Sequence, residues 1–192
     1  MTKHFVIALT FGLLAACGSA PAERSPLEGA SIGGDFELTD QQGKTVHWED
    51  FAGKYRIVYF GYTYCPDACP TDVAVMIQGL NRFTRADPAR GNSIQPIFIT
   101  IDPERDTSKA MGEFAAAFSP RLIALTGTRA QVDVAKKAFK VYGAKGTESA
   151  GGYLMDHSRI AYLMGPDGKP ISSLPIDQGP DAVAADLDKW VK

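Results

Sequence analysis

This chain has no surplus of positive charge: 20 lysines and arginines face 22 aspartates and glutamates, leaving a net charge of −2. That balance offers no electrostatic footprint for nucleic acid. There is no internal repeat and no long run of like charge. Nor is there an apolar stretch of the ~20 residues that a membrane-spanning helix needs. The run FVIALTFGLLAA, which follows Lys3 and His4, has about a dozen residues, the length of a secretory signal's hydrophobic segment. What the chain does have is a globular composition, 45% hydrophobic and 22% charged, in 192 residues, enough for one well-buried domain.

The run ends in LAAC, Leu14 to Cys17, which resembles a bacterial lipobox, where the cysteine is lipidated and becomes the new N-terminus. The chain is therefore expected to divide in three: a lipoprotein signal peptide over residues 1–16, a lipidated N-terminus and flexible tether over 17–34, and a folded domain over 35–192. Its expected place is the bacterial cell envelope, lipid-anchored on the extracytoplasmic (periplasmic) side, where disulfides persist. With Cys17 taken by the anchor, Cys65 and Cys69 remain of three cysteines.

From Asp35 the pattern becomes regular. FELTD and TVHW flank the turn signal QQG and predict a small N-terminal β-hairpin. RIVYFGY is a near-continuous apolar run, as in a buried central strand. Val73, Met76, Ile77 and Leu80 recur at helical spacing after the cysteines. IQPIFITI, an amphipathic helix carrying Met111 and Phe114, and RLIAL follow. Thr128 and Gln131 form a capping box for the next helix, which ends near Gly143. RIAYLM and PISSL, joined by GPDGK, predict a second hairpin before a closing helix. Parallel βαβ units followed by an antiparallel hairpin and a helix describe an α/β, thioredoxin-like fold, a central mixed sheet flanked by helices.

The stretch CPDACP places a proline directly after each cysteine. Proline is tolerated in the first turn of a helix and not beyond it. Pro70 is thus expected as the first helical residue, with Cys69 at or beside the N-cap and Asp72 in the first turn. The helix terminus would then favour thiolate at Cys69. The pair can serve a disulfide, redox exchange or a shared ion; a purely structural bridge this short would stabilise little. His4 leaves with the signal, and His47 beside Trp48 reads as a surface or packing residue. His157 precedes a core strand after the glycine-rich GAKGTESAGG, which reads as a mobile loop leaving its approach to the cysteines open.

Two thiolates and an imidazole suit copper, Cu(I) or with an added carboxylate Cu(II). Asp67, Asp72 or Asp156 can supply such a carboxylate, which leaves zinc open as well. Asp156 is alternatively an orienting partner of the imidazole, and Tyr153 and Met155 read as core-packing residues, with closure over the metal as the alternative. IDPERDT reads mainly as structure, with Asp106 or Thr107 capping a helix.

FGYTYCPDACP, IDPERDT and DHSRIAYLMGPDGK, in that order, resemble the Sco/SenC family of copper-binding assembly proteins, and the likeness runs from about Ser31 to the C-terminus. The resemblance implies a thioredoxin-like fold and copper ligation by Cys65, Cys69 and His157. It implies a role in building the binuclear copper site of cytochrome c oxidase subunit II or another extracytoplasmic copper protein, supplied by a copper donor chaperone. It also implies, as an alternative, thiol-disulfide reduction through a redox-active Cys65–Cys69 pair; a copper or redox sensor is a third reading. A monomer is expected. The chain departs from the family in its lipobox and in Tyr64, where many relatives carry histidine. It lacks the CxxC of thioredoxin, and Tyr62 stands where a related peroxidase family has threonine.

Overall fold

The computed structural model describes residues 23–149 and 152–192. The expected signal peptide and Cys17 lie outside the described residues. Among the described residues no helix is long and apolar enough to cross a membrane.

The opening hairpin forms as the QQG signal predicts: β1 (Glu37–Asp40) pairs antiparallel with β2 (Thr45–His47). Asp40 Oδ1 accepts from the Gln42 and Lys44 N–H groups, closing the turn. His47 lies in that edge strand. The centre of the sheet is β3 (Tyr55–Gly61), whose residues from Arg56 onward are all buried. A strand covered on both faces has no polar side to show, which is why RIVYFG reads as continuous apolar sequence. Helix α1 (Ala68–Ala86) and the short α2 (Pro88–Asn92) lead to β4 (Ile94–Thr100), parallel to β3. Then come α3 (Ser108–Phe118), β5 (Ile123–Thr126) and α4 (Arg129–Ala138).

After α4 the chain forms a separate two-stranded arm, β6 (Gly143–Ser149) and β7 (Gly152–His157), where the sequence suggests a loop. It then re-enters the main sheet as β8 (Ala161–Met164) and β9 (Pro170–Leu174) and ends in α5 (Pro180–Trp190). The seven-stranded sheet has the order β2-β1-β5-β4-β3-β8-β9, parallel at its centre and antiparallel at both edges. It is the mixed, helix-flanked sheet of a thioredoxin-like α/β fold.

Local chemistry fixes the element ends. Thr107 Oγ1 accepts from Ala110 N–H at the start of α3. At α4, Thr128 Oγ1 accepts from Gln131 N–H while Gln131 Oε1 accepts from Thr128 N–H, a full capping box. On α1 the inward stripe Val73, Met76, Ile77, Leu80 and Phe83 is buried. Gly79 lets α5 come close: a Cβ there would lie 2.5 Å from Val183. The stretch expected as free tether is in part docked. Leu27 N–H donates to Ile171 O, Gly33 N–H donates to Ala138 O, and Leu27 and Ile32 pack on the core. Two apolar residues in a small-residue segment suffice to hold it, so the folded unit begins before residue 35.

Candidate metal centre

The site is assembled from the end of β3, the first turn of α1 and the last residue of β7. Gly61 ends β3, and a Cβ on it would stand 3.0 Å from Cys69 Sγ and 2.9 Å from the Phe98 ring. Only the absence of a side chain leaves room for that sulfur. Helix α1 begins at Ala68 with Asp67 as N-cap, so Cys69 is its second residue and Pro70 its third. Proline is still harmless there, because the first N–H groups of a helix have no intrahelical acceptor. The start lies two residues before the one expected at Pro70, and Cys69 falls inside the turn with its side chain in the core.

This shift reverses the expected roles of the two sulfurs. Cys69 is fully buried, whereas Cys65 is half-buried ahead of the helix. The Cys69 backbone N–H donates to Cys65 Sγ at 3.3 Å, so the orphan donors of the helix terminus act on Cys65. Burial pushes the Cys69 thiol well up from its ordinary value. Partial burial opposes ionisation at Cys65 too, but the Cys69 and Asp67 N–H groups outweigh it, and its pKa is lowered. Cys65, not Cys69, is the thiolate-prone sulfur.

Cys69 Sγ lies 3.3 Å from His157 Nε2. One ligand atom from each of Cys65, Cys69 and His157 lies within 4.8 Å of the others, and among the described residues no other such cluster of Cys, His, Asp or Glu forms. These three residues can form a metal site. The other ring nitrogen, Nδ1, is 2.9 Å from the Ser158 carbonyl. A carbonyl only accepts, so Nδ1 carries the proton and Nε2 presents its lone pair to the sulfurs. Burial holds the imidazole below the usual histidine range, so it is neutral near pH 7. The rings of Tyr59 and Tyr62 meet His157 edge-on, with centroids 6.4 and 6.0 Å away.

The carboxylates considered from sequence stand elsewhere. Asp72 is buried past the first turn; it accepts from the Tyr59 hydroxyl at 2.8 Å and from Arg159 through both oxygens. It is a structural anchor committed to those donors. Asp67 and Asp156 are exposed, and the orienting role considered for Asp156 is filled by the Ser158 carbonyl. Met155 is buried in the core, and the Tyr153 hydroxyl donates to Asp102 Oδ1 at 2.9 Å; their side chains are occupied in packing the arm. Asp106 of IDPERDT is buried, accepting from Thr63 and Thr100. It braces the loop that carries Cys65 to the end of β4. Ser158 was missed from sequence: it acts through its backbone carbonyl, which leaves no residue-type signal.

The SCO1/SenC family model matches residues 24–192. The human mitochondrial protein SCO1 homolog is 40% identical over 139 residues, 72% of this chain and 46% of that protein. The chain spans about half the length of the mitochondrial relatives it matches. The copper-bound structure of Bradyrhizobium japonicum ScoI is 37% identical with a TM-score of 0.74, covering 83% of this chain and 99% of that one. BsSco, described as a member of the Sco family of cytochrome c oxidase assembly proteins with a disulfide switch, is 25% identical with a TM-score of 0.64, covering 88% and 100%. On the match from residue 24 to the last residue, and on these relatives, the chain belongs to the SCO1/SenC family.

Proposed function

We propose that this chain binds one copper ion through Cys65, Cys69 and His157 and delivers it to the binuclear copper site of a cytochrome c oxidase. The observation that carries this reading is the convergence of two sulfurs and one unprotonated imidazole nitrogen within 4.8 Å. Soft thiolates with a single imidazole suit Cu(I), and three ligands leave a coordination position for an incoming ligand of a client protein. The ion is cargo: a half-exposed, thiolate-prone Cys65 beside a buried Cys69 gives it one accessible and one sheltered sulfur. A lipid on Cys17 would hold the domain at the extracytoplasmic face of a bacterial membrane, the docked segment from Leu27 onward setting where the anchor departs.

The test is anaerobic Cu(I) titration of the reduced chain. One ion per chain is expected, with tight binding lost in Cys65→Ser and Cys69→Ser and weakened in His157→Ala. Copper transfer to an apo oxidase fragment should require both cysteines. A second reading is favoured by the same asymmetry: a half-buried thiol of lowered pKa with a fully buried neighbour is the arrangement of an attacking and a resolving cysteine. Disulfide reduction on a client with copper affinity unchanged in His157→Ala would select it.

A further inference from the structure

The arm β6–β7 shares no strand pairing with the main sheet among the described residues, yet it carries His157. Tyr153, Met155 and His157 alternate with the exposed Leu154 and Asp156, so they occupy one face of β7. Among the described residues the arm is held at its root, at the core-buried Met155 midway, and at an outer tie. At its root, Tyr142 N–H donates to Ser158 Oγ, Ser158 N–H donates to Tyr142 O, and Lys136 Nζ donates to Gly143 O. About 13 Å further out along the strand, at Tyr153, the outer tie begins. There Arg105 Nη1 donates to Tyr153 O at 2.9 Å, and its guanidinium lies 3.6 Å from the Tyr153 ring centroid. The Tyr153 hydroxyl and Arg105 Nε both donate to the buried Asp102. The same guanidinium stands 5.7 and 5.0 Å from the rings of Tyr62 and Tyr64, on the loop that carries Cys65.

We propose that Arg105, with Asp102 and Tyr153, is a positioning latch that ties the His157-bearing arm to the Cys65-bearing loop, and that its opening lets His157 swing away so that copper leaves. This rests on the copper reading above. The root and the buried Met155 hold the inner half of β7; the tie at the far end holds the outer half, so that the whole inward face, His157 included, is kept toward the sulfurs. The latch is suited to opening because it is incompletely satisfied: Arg105 Nη2 is buried without a hydrogen-bond partner among the described residues. Burial and the Asp102 carboxylate push the Tyr153 phenol up to about 12, so it remains a donor at neutral pH.

The experiment measures Cu(I) release from the full chain in detergent to an excess of Cu(I) chelator, with imidazole hyperfine coupling read by electron paramagnetic resonance of the Cu(II) form. Variants are Tyr153→Phe, Arg105→Gln, Arg105→Lys and His157→Ala, with Asp181→Asn on the remote α5 as control. Tyr153→Phe and Arg105→Gln should release copper about tenfold faster, a change of 1.4 kcal/mol, and weaken the imidazole signature. Arg105→Lys, which keeps the Asp102 ion pair, should partly restore both, and Asp181→Asn should match the wild type. If His157→Ala accelerates release while the latch variants only lower the melting temperature, the latch is overturned and the copper reading stands. If His157→Ala releases copper as the wild type does, the ligand assignment beneath the latch falls instead.

Discussion

Cys69 Sγ and His157 Nε2, 88 residues apart in sequence, lie 3.3 Å from each other. The contact is made by two elements distant in sequence, a buried first helical turn and an arm outside the main sheet. Each can be disturbed separately.

The space under Cys69 is one such point. Gly61→Ala would place a methyl 3.0 Å from Cys69 Sγ and 2.9 Å from the Phe98 ring. Neither neighbour can retreat within a packed core, so the substitution should cost about 1–3 kcal/mol of stability. Copper affinity should fall as well, because the sulfur itself is displaced. Denaturation and Cu(I) competition on the same variant check both effects.

The two thiols should differ in reactivity. Thiolate is the nucleophile, and at Cys65 the pKa is lowered whereas at Cys69 it is raised. In the reduced, metal-free chain, alkylation of Cys65 should rise with pH through a midpoint below that of an unperturbed thiol. Cys69 should stay protected until the chain unfolds. Peptide mapping after timed alkylation distinguishes the sites; equal labelling would contradict the assignment.

Histidine 157 should leave a mark on stability against pH. Burial puts its folded pKa below the ordinary histidine value of about 6.5, so between the two the unfolded chain binds more protons. Stability from this residue is therefore complete above about pH 6.5 and is lost as pH falls through the folded pKa. Denaturant melts of the apo chain at pH 7.5 and 5.5 should show a smaller loss in His157→Gln than in the wild type.

Asp72 should act on the fold. Replacing it by alanine leaves the buried Tyr59 hydroxyl without its acceptor, while Arg159, more than half exposed, can turn to water. A cost of about 2 kcal/mol is expected, or roughly 4–8 °C in melting temperature for a domain of this size. Thermal denaturation measures it.

Much of this was legible in the sequence because it rests on local rules. QQG, the Thr128–Gln131 box and the apolar run of β3 each name their own structure. The pairing of Cys65 and Cys69 with His157 was legible through residue type and the family likeness. The arm was not: GAKGTES has no apolar–polar alternation and a single β-branched residue, Thr147, and its pairing with β7 is decided by register with a partner that is itself half polar. The reversal of the two thiols was hidden for another reason. It depends on whether Cys69 is the N-cap or the second residue of the helix, a two-residue difference in where α1 starts that turns its side chain from solvent to core.

The most direct test of the copper site is X-ray absorption at the copper edge of the reduced chain loaded with one Cu(I). Two sulfur scatterers and one imidazole nitrogen are predicted, with the nitrogen lost in His157→Ala and the sulfur count falling in either cysteine variant. A spectrum unchanged by all three substitutions would place the metal elsewhere and contradict the account.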